Sequence, residues 1–260
     1  MQEMCFFATK SSMKIRMKRK LAVVLLICIS CHIGWAAQDF VWKSGQNMKV
    51  VCDTTEAPVV KVALDLLKRD CRSVLSGEIS RSENTGNIYV GTWGESSVLQ
   101  ALADTRQLDV AQLDEHKEAF LLNVLPDGRL VVAGSDKRGT AYGVLELSRM
   151  MGVSPWEWWA DAVPEKKEEF RLPAGFRKLD YPQVAYRGIF INDEDWGLTP
   201  WSWKHYEPSE RKGQIGPKTH ARIFELLLRL RANTFWPAMH ECSIPFFFTE
   251  GNKEMADKYA

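Results

Sequence analysis

Tyr186-Arg-Gly-Ile-Phe-Ile-Asn-Asp-Glu-Asp-Trp196 is the stretch on which the fold turns. Its apolar run, residues 189–191, stops abruptly at Asn192, Asp193, Glu194 and Asp195. A buried parallel strand that ends in carboxylates is how barrel and open-sheet enzymes place their chemistry, at the carboxyl ends of strands. The same pattern also describes a core strand followed by a polar turn, so the flanking sequence has to decide.

On the carboxyl side, residues 184–191 read as a strand, and a Trp- and Pro-rich loop runs over residues 196–217. Residues 219–231 are amphipathic, with Ile223, Leu226, Leu227 and Leu230 on one face and Arg222, Glu225 and Arg229 on the other. Phe235-Trp236 reads as a second strand, and residues 251–260 as a further helix carrying Met255 and Tyr259 at i,i+4. Strand, loop, helix, strand, loop, helix is the start of a (β/α) series. The segment 181–260 supplies about 80 residues, whereas a closed eightfold barrel takes about 250. The expectation is the opening units of a TIM (β/α)8 barrel, truncated, in a chain that is an amino-terminal fragment or a shortened reading frame.

On the amino side, residues 40–164 alternate between strand and helix patterns. Residues 48–52 and 87–91 read as strands, and residues 59–74 and 98–103 as helices. Residues 120–125 and 129–133 flank Pro126-Asp127-Gly128, a hairpin signal in which glycine supplies the positive φ of the turn. Ser135 or Asp136 caps a helix that Gly152 ends. Gly134, Gly139 and Gly143 do not match phosphate-loop or dinucleotide spacing. Lys137 and Arg138 lie at that helix start, where a cation pair can serve an anion or simply face water. Trp156-Glu-Trp-Trp159 is a packing or cleft-lining cluster, and residues 165–175 form a charged, Pro/Gly-punctuated linker. The expected organisation is α/β: an accessory domain with linker over residues 37–180, then the barrel start at 181–260.

The 34 basic and 33 acidic residues nearly cancel, which gives no reason to expect a nucleic-acid partner. Ten Trp and twelve Phe suit a sugar-stacking cleft, although packing alone also uses such rings. Residues 1–36 read as a signal peptide. Lys14, Arg16, Lys18, Arg19 and Lys20 precede a short apolar run at 21–29, and Gly34-Trp35-Ala36 offers a cleavage site. Met13 opens like an ordinary export signal. The apolar run is too short to span a bilayer comfortably, and Cys28-Ile-Ser-Cys31 departs from a lipobox in the residue three before the modified cysteine. The expectation is export, to the periplasm or outside the cell. The mature part keeps Cys52, Cys71 and Cys242, an odd set without metal-ligand spacing that argues against a disulfide framework.

Three segments together carry a family resemblance. The first is Ser135-Asp-Lys-Arg-Gly-Thr-Ala-Tyr-Gly143 with Gly152-Val-Ser-Pro-Trp-Glu-Trp-Trp-Ala160. The second is Tyr186-Arg-Gly-Ile-Phe-Ile-Asn-Asp-Glu-Asp195. The third is Leu226-Leu-Leu-Arg-Leu-Arg-Ala-Asn-Thr-Phe-Trp-Pro-Ala-Met239. They resemble the amino-terminal portion of glycoside hydrolase family 115, the xylan α-1,2-glucuronidases. The resemblance implies an inverting glycosidase that removes (4-O-methyl)-glucuronic acid from glucuronoxylan without metal or organic cofactor. It places Asp193 in the active site, with Glu194 as a second carboxylate and Asn192 beside it, and matches Trp236 to a substrate-contacting aromatic. Lys137, Arg138 and Trp158 become the candidates for the uronate pocket, and His240 and Glu241 a structural pair. The full-length protein is compatible with a homodimer.

Inversion needs two carboxyl groups about 6.5–9.5 Å apart. Adjacent residues of an extended strand point to opposite faces, so Asp193 and Glu194 supply one carboxylate and its partner belongs to a later strand. On that reading the 260 residues alone are inactive. Two other readings stay open at this point: a different barrel glycosidase of the β-hexosaminidase kind, and a non-catalytic carbohydrate-binding protein that uses the Trp-rich surface.

Overall fold

The computed structural model describes residues 36–192 and 195–260. Residues 1–35, all but the last residue of the expected signal peptide, and the pair Asp193 and Glu194 lie outside the described residues. Strand β1 (Phe40–Lys43) is followed by β2 (Asn47–Cys52), helix α1 (Pro58–Leu75), β3 (Glu78–Ser82), β4 (Ile88–Thr92) and α2 (Ser97–Asp104). The hairpin β5 (Phe120–Val124) and β6 (Leu130–Gly134) leads into α3 (Lys137–Met150). Its turn is closed by Gly128 at φ 82°, whose N–H donates to the Leu125 carbonyl at 2.9 Å. Asp136 caps α3, accepting from the backbone N–H groups of Arg138 and Gly139.

With β8 (Arg177–Asp180), these strands form a six-stranded sheet in the order β3-β2-β4-β6-β5-β8. Strands β3, β2, β4 and β6 are parallel, and β5 and β8 complete the sheet antiparallel. Alternate side chains of the parallel strands divide between two apolar cores, as the pleat requires. Val50, Ile88, Val90, Leu122 and Val132 meet α1 and α3, whereas Val51, Tyr89, Leu121 and Val131 meet Leu99 and Leu102 of α2.

The segment expected as a linker contains a strand instead. Residues β7 (Glu169–Leu172) pair antiparallel with β1 and bury Phe170 and Leu172 against the sheet's core. The alternation of Glu169, Phe170, Arg171 and Leu172 is the half-buried strand pattern, hidden in the sequence by the charges around it.

The opening stretch forms β9 (Gly188–Phe190), shorter than residues 184–191. The reason is local: the Arg187 guanidinium takes the carbonyls of Val184 and Ala185 at 2.7 and 3.2 Å. Asn233 also donates to the Ala185 carbonyl, at 2.8 Å. Acceptors that a ladder would need are therefore occupied by side chains. Strand β9 pairs parallel with β10 (Thr234–Trp236), and between them run a short helix α4 (Leu198–Trp201), a π turn at Ser202–Tyr206 and helix α5 (Pro217–Arg229). Gly188 is required here, because a Cβ on it would stand 1.7 Å from the Thr234 carbonyl oxygen of the partner strand. Helix α6 (Asn252–Tyr259) packs on α5 and α1. No described helix is long and apolar enough to cross a membrane. Cys52 and Cys71 are buried free thiols, and burial pushes both up to about 12.

Residues 37–260 form one compact unit, and charged groups hold its layers together. The polar face of α5 turns to α1, where Arg229 donates to both Asp70 oxygens at 2.8 and 2.9 Å, both side chains buried. Glu225 joins Arg229, Arg222 and Arg69, and those three guanidiniums keep its carboxyl ionised below the usual range despite burial, which acts the other way. Leaving one member of a buried ion pair without its partner costs roughly 3–5 kcal/mol, whereas replacing both by well-packed apolar groups is often neutral. Asp70→Asn leaves Arg229 only its Glu225 contact and is therefore expected to lower the stability of the chain by about 1–3 kcal/mol. The double variant Asp70→Leu/Arg229→Met should recover most of the loss, as read from urea midpoints.

Candidate active site

Parallel pairing aligns Phe235 with Ile189 and Trp236 with Phe190. Period-two alternation then gives the pair two faces. Ile189 and Phe235 pack with Ile223, Phe224 and Leu227 of α5. Phe190 and Trp236 face the other way, edge to face with ring centroids 5.3 Å apart and each at least half exposed. One further ladder bond, from the Ile191 N–H to the Trp236 carbonyl at 2.9 Å, carries the pairing to the last residue before Asn192. The sequence-derived candidates Asn192 and Trp236 therefore share the carboxyl end of the pair, on a surface where Asn192 is exposed. Asp193 and Glu194, named with them, lie outside the described residues. Asp195, next along the chain, holds φ 78°, a left-handed conformation that side chains other than glycine adopt at a cost of about 1–2 kcal/mol.

The other candidates are placed elsewhere. Lys137 is exposed at the start of α3. Arg138 donates to Glu118 at 3.2 Å and to the Ala260 carbonyl at 3.1 Å. Glu118 also receives Arg187, at 2.5 Å, and the Asn233 amide, at 2.9 and 3.1 Å. Burial opposes the charge on Glu118, but Asn233, Arg187 and Arg138 hold its carboxyl below the ordinary range. Arg187 and Asn233 immediately precede β9 and β10, so this network lies at the amino ends of the strands. Trp158 packs in a ring cluster with Trp159, Trp201 and Tyr206, under the Arg222 guanidinium. His240 and Glu241 are both exposed beyond β10.

Sequence reasoning missed the residues that seat the pair. Glu118, Arg187 and Asn233 were invisible as a group because each partner is remote along the chain. Asp70 had a signal: it stands among Leu66, Leu67, Cys71 and Val74 on the buried face of α1, where a carboxylate demands a cation.

His220 anchors α5 beneath the pair. Its Nδ1 lies 3.0 Å from the Gly216 carbonyl and 3.1 Å from the Asn252 side-chain oxygen, and its ring meets Phe224, Phe235 and Phe246. Burial lowers this imidazole to about 4, outweighing the two hydrogen bonds that favour its charged form. The folded chain thus resists a proton that the unfolded chain accepts near 6.5. Stability is unaffected by this group above about pH 6.5 and falls between there and about pH 4. Expected is a loss of roughly 2–3 kcal/mol between pH 7 and pH 4.5, before the lowered carboxylates contribute. Urea unfolding of His220→Gln should show this slope removed.

Comparison with known proteins adds the following. Residues 179–260 match the model of glycosyl hydrolase family 115. A solved family GH115 4-O-methyl-α-glucuronidase with specificity for decorated arabinogalactans is 61% identical to this chain, with a TM-score of 0.81 over 85% of it. The chain spans 28% of that enzyme's length. The chitobiase of Flavobacterium johnsoniae is 12% identical, with a TM-score of 0.48 over 86% of this chain and 32% of its own. The Streptomyces plicatus β-hexosaminidase is 17% identical, with a TM-score of 0.45 over 77% and 31%. Those last two likenesses are too slight to decide anything. No curated protein matches the chain.

Proposed function

The chain belongs to glycosyl hydrolase family 115, and on that premise we propose that it is the amino-terminal part of an exported α-glucuronidase releasing (4-O-methyl)-glucuronic acid from glycan side chains. The observation that carries this reading is the juxtaposition of Trp236 with the end of β9, the strand that runs into Asn192-Asp193-Glu194. In this reading β9, α5 and β10 open a (β/α)8 barrel, whose carboxyl-end face holds the substrate. The exposed Trp236 ring lies against a sugar face, Asn192 donates to a hydroxyl, and Asp193 acts as one of two carboxyl groups, with Glu194 beside it.

Inverting hydrolysis proceeds through an oxocarbenium-like transition state. One carboxylic acid protonates the leaving oxygen while a carboxylate on the opposite face of the ring activates water. Asp193 supplies one of these groups. The second is assigned to the length of a family enzyme that these 260 residues do not cover, since they correspond to 28% of the relative. Little or no turnover by the chain alone follows. Neither the hexosaminidase reading nor the non-catalytic reading is favoured by the family match.

The carrier glycan is the open part of the specificity. Sequence resemblance points to xylan, whereas the 61% identical relative is described as specific for decorated arabinogalactans. With 61% identity over 85% of this chain, arabinogalactan is the carrier we favour. The test is release of 4-O-methylglucuronate from glucuronoxylan and from decorated arabinogalactan by an enzyme containing this chain. Expected is release, with preference for arabinogalactan, and a loss of at least about 10³-fold in kcat for Asp193→Asn, in line with removal of a catalytic acid or base. Unchanged turnover in Asp193→Asn would overturn the assignment.

A further inference from the structure

From the sequence, Trp158 is a candidate to close the uronate pocket. We infer instead that Trp158 is a positioning residue, the centre of an aromatic cage through which the sheet layer holds the loop between β9 and α5. The inference rests on the proposed function only for what the loop serves.

The cage is built from two separated segments. Residues 154–160, which follow α3, contribute Trp158 and Trp159, perpendicular to one another at 4.9 Å. The β9–α5 loop contributes Trp201 and Tyr206, which stack on each other across the π turn at 4.8 Å and 8°. Trp158 sets its ring against both of these, at 6.1 Å from Trp201 and 5.2 Å from Tyr206. Offset and edge-to-face pairs of this kind each add to what area burial alone gives.

Helix α5 closes the cage from the third side. The Arg222 guanidinium lies 4.8 Å from the centre of a Trp158 ring, a cation–π contact. The same side chain donates to the Tyr206 hydroxyl at 3.3 Å and to Glu225 at 3.0 Å. The Trp159 indole N–H donates to the Arg222 carbonyl at 3.1 Å. Beyond Arg222, Glu225 meets Arg69 of α1, which also reaches Glu157, two residues before Trp159. The loop is thus fixed from the sheet layer by rings and from α1 by charge.

Two features show why such a clamp is needed. The π turn at Ser202–Tyr206 is a rare conformation, frequent at functional sites and held by its surroundings. The loop also leaves β9 directly after Asp193-Glu194 in sequence, through the left-handed Asp195. A segment entered through a disfavoured backbone conformation persists only where neighbours over-determine it. Trp158 supplies that constraint by setting its ring edge-on against the stacked Tyr206 and Trp201, and its own ring is taken up by protein groups on several sides.

The test separates positioning from substrate contact in the chain itself. Two readouts are taken on Trp158→Ala, Trp158→Phe and Trp236→Ala. The first is the rate of tryptic cleavage within the loop, after Lys204, Arg211 or Lys212. The second is affinity for a 4-O-methylglucuronate-bearing oligosaccharide. Trp158→Ala is expected to speed loop cleavage roughly tenfold and to weaken binding, while Trp158→Phe restores both, since a ring is what the cage requires. Trp236→Ala should weaken binding and leave cleavage unchanged. Weakened binding in Trp158→Ala with unaltered cleavage would show direct contact with sugar and overturn the inference. So would unaltered cleavage with unaltered binding. Should none of the proteins, wild type included, bind the oligosaccharide, the cleavage rates alone decide the role of Trp158.

Discussion

The described segment after residue 180 is seated on the sheet in large part through buried carboxylates that each receive an arginine. Asp70 of α1 takes Arg229, Glu118 before β5 takes Arg187 and Arg138, and Glu146 of α3 takes Arg231. Arg231 in turn reaches Asp180 at the end of β8. Glu146 shows how firmly such charges are held. Burial opposes its ionisation, yet Arg149, Lys178 and Arg231 together keep its carboxyl at about 2. Pairs of this kind add little net stability compared with an apolar contact, because desolvation offsets most of the attraction. What they supply is orientation, since a bidentate guanidinium–carboxylate contact tolerates little rotation.

The positions of these pairs explain how rigidity is distributed. Arg187 and Asn233 precede β9 and β10, and Tyr142 of α3 donates to the Ala232 carbonyl just before them. The amino ends of the parallel pair are therefore tied to the sheet, while Trp236 and Asn192 at the carboxyl ends remain exposed. A barrel-type enzyme separates stability and chemistry along its strands in the same sense. The Trp158 cage extends the arrangement: the layer that anchors the amino ends by charge also grips the loop leaving the carboxyl end of β9 by aromatic contact.

This division also accounts for the chemistry of the buried groups. Cys52 and Cys71 are kept protonated by burial and are inert packing groups. His220 is kept neutral among three phenyl rings and ties α5 to the start of α6 through Asn252. Its role is to fix the helix on which Phe235 and Ile189 rest.

The elements themselves could be read from the sequence. Period-two and period-3.6 patterns located β2, α1, β4, the β5–β6 hairpin, α3 and α5, because those elements bury one face against a neighbour close in sequence. The Pro126-Asp-Gly128 turn and the Asp136 cap were legible for the same reason: their hydrogen bonds are local. Strands β7 and β8 were not legible, since a four-residue strand carries too little periodicity and their partners, β1 and β5, are distant along the chain. So too with the site. Sequence placed Asn192, Asp193 and Trp236 at strand ends, but only the fold sets Trp236 beside Phe190. It also draws Arg138 into the amino-end network and surrounds Trp158 with Trp201, Tyr206 and Arg222. Local patterns determine which segments become helix or strand, because the forces that form them act between near neighbours. The use of each charge and ring depends on which remote partner close packing brings to it.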